Sequence, residues 1–350
     1  MIIVPIGALF PSAGGDFRMT EEDADEEGLT YAEAGVDIEA SEAATASVLD
    51  ALGNVVATEY AGLLDIGDRY LGLATDGVGT KLMVADAMAD YSTVGIDCIA
   101  MNANDLVAAG VEPVAFVDYL AVDDPDDDLS EEIGEGLAAG AETAGVAVLG
   151  GETAVMPEVV SGFDLAGTCA GLASKDAVFD GEAQPGDHLV GWPSSGIHSN
   201  GLTLARTAIT REHEYDDPFP PDPERTIGEE LLEPTRLYTD LLGPMRDHTV
   251  RAAAHVTGGG WTNLTRMGPF RYRIDDPFEA QPIFEFIQDR GDVSPDEMHR
   301  TFNMGTGFVA ALPTEEAAQD LADGTDGRVI GTVNGSDNGG RVDVRGTVLD

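Results

Sequence analysis

Residues 76–81 read Asp76-Gly77-Val78-Gly79-Thr80-Lys81, and they follow the apolar run Tyr70-Leu71-Gly72-Leu73-Ala74. The run has the composition of a strand, so the six residues form a strand-to-helix turn. Two glycines let the backbone turn tightly and approach a ligand closely. Successive backbone N–H groups in such a turn make an anion-binding nest. Thr80 adds a hydroxyl, Lys81 a positive charge and Asp76 a hard oxygen ligand suited to Mg²⁺. The stretch reads as a nucleotide-phosphate loop, with Gly77, Gly79, Thr80 and Lys81 on phosphate. Lys81 is one of only two lysines in the chain, the other being Lys175.

The 350 residues carry 18 Lys+Arg against 65 Asp+Glu, a formal net charge of −47. Length points to two domains. A hydrophobic fraction of 43% supplies sizeable cores and argues against disorder. Dense acidic runs occur at 21–27 and 123–132, and a surface of this sign repels nucleic acid. An acidic docking surface is one reading of the charge. A high-salt cytoplasm, where ions screen the repulsion and arginine replaces lysine, explains it more economically. Cys98 and Cys169 sit in apolar runs without metal-ligand spacing and read as core thiols in a reducing compartment. No apolar run reaches the roughly 20 residues of a membrane helix. The N-terminus lacks a basic n-region, which argues against a signal peptide and suggests Met19 as the start of translation.

Outward from the loop, residues 1–30 read as a flexible extension and Ile38–Leu52 as a helix. Helical spacing recurs at Ser92–Ala109, Leu129–Thr143 and Thr314–Ala322, and after the turns at 194–201 and 257–260. Strands are expected at Pro113–Val122, Val146–Leu149, Phe163–Ala173, Asp187–Trp192, Ala252–Val256, Gly305–Leu312, Arg328–Val333 and Arg341–Arg345. Glu212–Glu224, acidic and Pro-rich, reads as an exposed loop. Lys175–Gly186 is the cleanest break. The expected organisation is therefore α+β, with mixed α/β domains at 31–174 and 187–350 and a cleft between them.

The first half places carboxylates where a core would avoid them. Asp97 and Asn104 share one stripe of an apolar helix, with Asp105 adjacent; an unpaired buried carboxylate needs a partner or a cation. Glu152 follows Gly150-Gly151 directly after a buried strand. Asp76, Asp97, Asp105 and Glu152 converging at strand ends would bridge Mg²⁺ to phosphate oxygens. In the second half His198 lies in a Ser/Gly/Asn-rich turn and His255 precedes Thr257-Gly258-Gly259-Gly260. A neutral imidazole there can move a proton near pH 7. The structural alternatives are helix capping for the carboxylates and core packing for the histidines.

The motifs taken together resemble the phosphoribosylformylglycinamidine cyclo-ligase (aminoimidazole ribonucleotide synthetase) family. The resemblance rests on Tyr31-Ala32-Glu33-Ala34-Gly35-Val36-Asp37-Ile38, on DGVGTK at 76–81 and on GIDCIAMNANDLVAAGVEP at 95–113. It continues through GGETAVMP at 150–157, SSGIHSNG at 194–201, LLEPTRLY at 231–238, HVTGGG at 255–260 and HRTFNMGTG at 299–307. Eight motifs in the family's order make it specific, and the acidity suggests a haloarchaeal version. The resemblance implies ATP-dependent ring closure of formylglycinamidine ribonucleotide and a homodimer paired through the sheets of the ATP-binding halves. It further implies that Asp76, Asp97, Asn104, Asp105, Gly150, Gly151 and Glu152 surround Mg²⁺–ATP with Thr80 and Lys81, and that Lys81, His198 and His255 serve catalysis. One departure is that residues 1–30 hold no lysine, only Arg18, where the family carries a lysine near the nucleotide. Superfamily rivals are thiamine-monophosphate kinase, a hydrogenase-maturation protein and selenophosphate synthetase. The last needs a reactive Cys in its N-terminal loop, and none precedes Cys98. A non-catalytic acidic scaffold would leave the glycine-rich turns of both halves unexplained.

Overall fold

The computed structural model describes residues 28–36, 43–45, 47–48, 51, 59–179, 181–336 and 339–349. The 1–27 part of the N-terminal extension, with Arg18, lies outside the described residues, as does most of the expected helix Ile38–Leu52.

Residues 62–174 build a five-stranded sheet of order β1-β2-β5-β3-β4. The strands are β1 (Gly62–Asp65), β2 (Arg69–Gly77), β3 (Glu112–Val122), β4 (Ala147–Val155) and β5 (Phe163–Ser174). β5 alternates buried and less buried residues along nearly its whole length, the period-two pattern of a strand with one face on a core. β3 and β4 run parallel, so the chain crosses between them through helix Asp127–Ala144. Much of the acidic run at 123–132 begins that helix. Asp126 accepts from the Leu129 N–H at 2.9 Å, and Asp127 and Asp128 occupy the first turn, where carboxylates favour the helix dipole.

Helix Val94–Ala108 buries 13 of its 15 residues. A helix buried all round has neighbours on every side. Here they are the sheet, helix Asp127–Ala144 and the second half of the chain. The two helices cross at glycines. A Cβ on Gly136 would sit 2.5 Å from the Ser92 carbonyl oxygen, and one on Gly95 would sit 2.3 Å from the Leu137 nitrogen. Gly136→Ala is therefore expected to cost about 1–3 kcal/mol through overpacking, read as a lower denaturation midpoint at unchanged m.

Residues 188–349 build a seven-stranded sheet of order β14-β13-β10-β12-β6-β11-β9. Its strands are β6 (His188–Pro193), β9 (Ala252–His255), β10 (Arg271–Ile274), β11 (Thr306–Leu312), β12 (Arg328–Asn334), β13 (Arg341–Val344) and β14 (Thr347–Leu349). Every residue of β9 and β11 is buried. Helices Leu202–Ile209 and Pro282–Gly291 pack on each other, Pro295–Thr301 on segment 260–267 and β14, and Glu315–Asp323 over β6 and β12.

The structure departs from the sequence expectations in several places. β4 is exposed along nearly its whole length and runs on through Glu152, where a buried strand ending at Gly150-Gly151 was expected. The acidic segment 212–224 runs into a small hairpin, β7 (Pro218–Phe219) with β8 (Asp222–Thr226), which Phe219 anchors in the core at 1% exposure. The helix expected after Thr257-Gly258-Gly259-Gly260 is present as a 3-10 helix, Gly260–Met267. Residues 28–31 dock on the second half rather than hanging free. Leu29 N–H donates to the Gly291 carbonyl at 3.3 Å and Tyr31 N–H to the Glu297 carboxylate at 2.7 Å.

Candidate functional site

β2 ends in the glycine-rich turn, and Gly79 adopts φ +72°, a conformation that costs an L side chain strain. Gly77 N–H donates to Asp76 Oδ1 at 2.8 Å. Lys81 does not point into an open phosphate loop. It is fully buried, with Nζ 2.8 Å from Asp97 Oδ2 and donating to the Glu233 carbonyl at 2.7 Å. Burial pushes its amine pKa down, and the Asp97 charge opposes that. Thr80 Oγ1 likewise meets Thr203 Oγ1 of the second half at 3.0 Å.

The helical stripe is consumed in the same way. Asp97 Oδ1 accepts from Thr235 N–H at 2.7 Å and from its hydroxyl at 2.6 Å. Asn104 Nδ2 donates to the Arg236 carbonyl at 2.9 Å, and its Oδ1 accepts from Tyr238 N–H at 2.8 Å. Lys81, Asp97 and Asn104 thus form a buried clamp on segment 233–238. The partner that the Asp97 carboxylate demanded is a lysine and a threonine, not a cation from solution.

Asp105, one residue on, faces the cleft. Its Oδ1 lies 3.0 Å from Nδ1 of the fully buried His255, whose Nε2 is 3.5 Å from Asn104 Nδ2. These contacts assign the Nδ1–H tautomer, donating to the carboxylate. The pair is composite, with the acid from the first half and the imidazole from the second.

Asp76 stands on the helix-facing side of its sheet and opens to solvent at the rim of the cleft. The protein around it removes enough water, and Asp105 adds enough like charge, to raise its carboxyl to about 6. Pairing places Asp76, Gly167, Asp118 and Gly151 in one row across the sheet. Sequence reasoning passed over Asp118, although it is the lone acid in the apolar strand PVAFVDYLAV. Gly151 makes room for it, because a Cβ there would lie 2.2 Å from Asp118 Oδ1.

Glu152 does not join this group. It pairs with Tyr119 in the row Gly77–Ala166–Tyr119–Glu152, one step along, so it occupies the opposite face of the sheet. Gly150, at φ +134°, precedes it on the same edge strand. That opposite face is apolar and open: Leu64, Leu73, Val117 and Tyr119 are 60%, 47%, 43% and 46% exposed.

His198 is buried at φ +63°, and its Nε2 accepts from Ser195 N–H at 3.2 Å. Burial first, then the neighbouring His255, Lys81 and Arg236, push its pKa well below the usual value, so the ring is neutral. Its turn is held by Asn303, a second residue that sequence reasoning missed within HRTFNMGTG. Asn303 Nδ2 donates to the Gly196 carbonyl at 2.9 Å, and its Oδ1 accepts from Ser194 Oγ at 2.8 Å.

Among the described residues no three His, Cys, Asp or Glu side chains come together as a metal cage. What the cleft offers is two carboxylates, Asp76 and Asp105, crowded enough to raise a pKa. That suits Mg²⁺, which takes one or two protein carboxylates and completes its shell from phosphate and water.

Two family descriptions match the chain: "AIR synthase related protein, N-terminal domain" over residues 58–173 and "AIR synthase related protein, C-terminal domain" over 184–344. The phosphoribosylformylglycinamidine cyclo-ligase of Methanosarcina acetivorans is 46% identical over 319 residues, covering 88% of this chain and 96% of that protein. The protein of the same name from Thermococcus kodakarensis is 46% identical over 308 residues, covering 84% and 91%. Among solved structures, thiamine monophosphate kinase from Aquifex aeolicus superposes with a TM-score of 0.60 at 17% identity, covering 90% of this chain and 99% of that one. Hydrogenase maturation protein HypE in complex with ATP superposes at 0.58 and 17% identity, covering 83% and 86%. At such identities the superpositions establish the fold alone.

Proposed function

The chain belongs to the phosphoribosylformylglycinamidine cyclo-ligase family of AIR synthases, and from that membership we propose that it closes the imidazole ring of formylglycinamidine ribonucleotide at the expense of ATP. The formyl amide oxygen attacks the γ-phosphorus and ADP departs. The amidine-side nitrogen then attacks the activated carbon, the C–O bond breaks to release phosphate, and the nitrogen loses a proton. The carrying observation is the composite Asp105–His255 pair beside Asp76 at the cleft. It gives one half of the chain the carboxylates and the other the group that orients them.

In this reading Asp76 and Asp105 would hold Mg²⁺, which would neutralise charge on the transferring phosphoryl group. Gly77 and Gly79 present backbone to the phosphates. His255 donates to Asp105 Oδ1 and leaves the second oxygen for the cation. It acts as a positioning residue, and His198, neutral and enclosed, holds its turn. Lys81, Asp97 and Asn104 fix the two halves in register, a role different from the phosphate and metal contacts expected of them. The open apolar face fits a second copy of the chain, and Glu152 with Gly150 and Gly151 would face that copy. A soluble cytoplasmic homodimer at high salt accounts for the charge.

The deciding test is phosphate release from ATP on adding formylglycinamidine ribonucleotide, with thiamine monophosphate as the comparison substrate. Release with thiamine monophosphate alone, or with neither, refutes the reading.

Asp76 supplies a pH signature. Its carboxyl titrates near 6 in the folded chain against an ordinary 3.8. Between those values the folded chain holds a proton that the unfolded chain has shed, so the Asp76 contribution to stability falls as pH rises through that window. Mg²⁺ should offset the loss above about pH 6. Melting curves at pH 4–7 (with and without Mg²⁺, fixed salt) should show a cation-dependent divergence that Asp76→Asn abolishes. A wild-type-like divergence in that variant would remove Asp76 from the cation site.

The charge makes a further prediction. The Debye length grows from roughly 3 Å at 1 M salt to roughly 30 Å at 0.01 M, so carboxylate repulsion spans the molecule at low salt. Light scattering and circular dichroism across a KCl series should show the dimer separating first and the fold failing next. A folded dimer at millimolar salt would count against the high-salt reading.

A further inference from the structure

Arg266 is an exposed cation with no carboxylate at ion-pairing distance among the described residues, in a chain where acids far outnumber bases. It projects from the Gly260–Met267 turn that directly follows the His255 strand. Its guanidinium carbon stacks over the Tyr60 ring, 5.1 Å from the centroid. The Tyr60 hydroxyl in turn donates to the His255 carbonyl at 3.4 Å, and the His255 imidazole holds Asp105. The guanidinium is therefore carried on an aromatic platform tied to the residue that orients the cleft carboxylate. The cleft carboxylates together with a guanidinium that no described carboxylate neutralises match a phosphate group with a divalent cation on one edge. Arg presents paired N–H donors that suit two oxygens of one phosphate.

We infer that Arg266 binds a phosphate oxyanion in the cleft between the two halves, with Tyr60 fixing the plane of its guanidinium. The oxyanion belongs either to the γ-phosphoryl group in transfer or to the 5′-phosphate of the ribonucleotide. The inference rests on the reading proposed above and adds a residue to it.

Arg266→Ala and Arg266→Lys should be compared with the parent protein with each substrate varied. Binding of a nonhydrolysable ATP analogue with Mg²⁺ and binding of inorganic phosphate should be followed by calorimetry. Arg266→Ala should lower kcat/KM on the order of 10²-fold or more, with Lys recovering only part of it. A fall in kcat with weaker binding of the ATP analogue assigns the γ-phosphoryl group. A raised KM for the ribonucleotide at unchanged kcat, with weaker binding of inorganic phosphate, assigns the 5′-phosphate. Constants and both affinities within twofold of the parent would overturn the inference. Should Arg266→Ala melt early, Arg266→Gln, which keeps the stem over Tyr60, reads the same quantities. An inactive parent protein would count against ring closure itself, and the two titrations would still decide the role of Arg266.

Discussion

Lys81→Met is expected to destabilise the folded chain by about 3–5 kcal/mol, because it strands the Asp97 carboxylate in a site without water. Both side chains of the pair are fully buried and their charged atoms lie 2.8 Å apart. Removing the ammonium also frees the Glu233 carbonyl, one of the bonds that fasten the two halves together. The double variant Lys81→Met/Asp97→Asn should regain much of the loss. It carries no buried charge, and its amide oxygen still accepts from Thr235. Urea denaturation at fixed molar salt reads the three proteins, and a thermodynamic cycle isolates the pair. If Lys81→Met unfolds with the parent and loses only affinity for ATP, the ammonium belongs on phosphate, as the loop motif by itself suggests.

Asp105→Asn should have the largest effect on turnover. Asn keeps the shape of the side chain and an oxygen for the His255 Nδ1–H, and the site is 19% exposed, so the fold should stand. What disappears is the negative charge offered to Mg²⁺ and phosphate. Loss of one fixed charge in phosphoryl transfer lowers kcat/KM on the order of 10²-fold or more. Calorimetry with a nonhydrolysable ATP analogue should show the Mg²⁺-dependent part of the affinity falling with it. Unchanged Mg²⁺-dependent binding would leave Asp105 with no task beyond aligning His255.

Those two residues mark where sequence reading succeeds and where it stops. Period-two and helical patterns located β5, β11 and the helix at 94–108, because burial on one or all sides writes itself into local composition. β10 escaped notice because Arg271-Tyr272-Arg273-Ile274 has only two inward residues, too few for a pattern. The hairpin at 218–226 was masked by its acids, since only Phe219 signals the core. Within the site, the demand of Asp97 for a partner was legible, but not the partner: Thr235 lies 138 residues along the chain. Lys81 was legible as exceptional, yet the phosphate-loop pattern and a buried clamp ask for the same residue types at the same spacing. Only the packed structure tells them apart. Asp118 could have been found by asking why an acid interrupts an apolar strand.

The helix at 94–108 has a consequence for how the protein is made. Its outer polar stripe is matched by segment 233–238, which a ribosome adds more than a hundred residues later. At about 5–20 residues per second, on the order of ten seconds separate the helix from that segment, and until then the stripe has nothing to receive it. The newborn first half would therefore be wet where the mature protein is dry. Its quality control depends on the second half arriving, and a message truncated between the halves should yield a fragment fit for proteolysis rather than a working module. The two halves match separate family descriptions, yet the buried clamp is complete only when both are present.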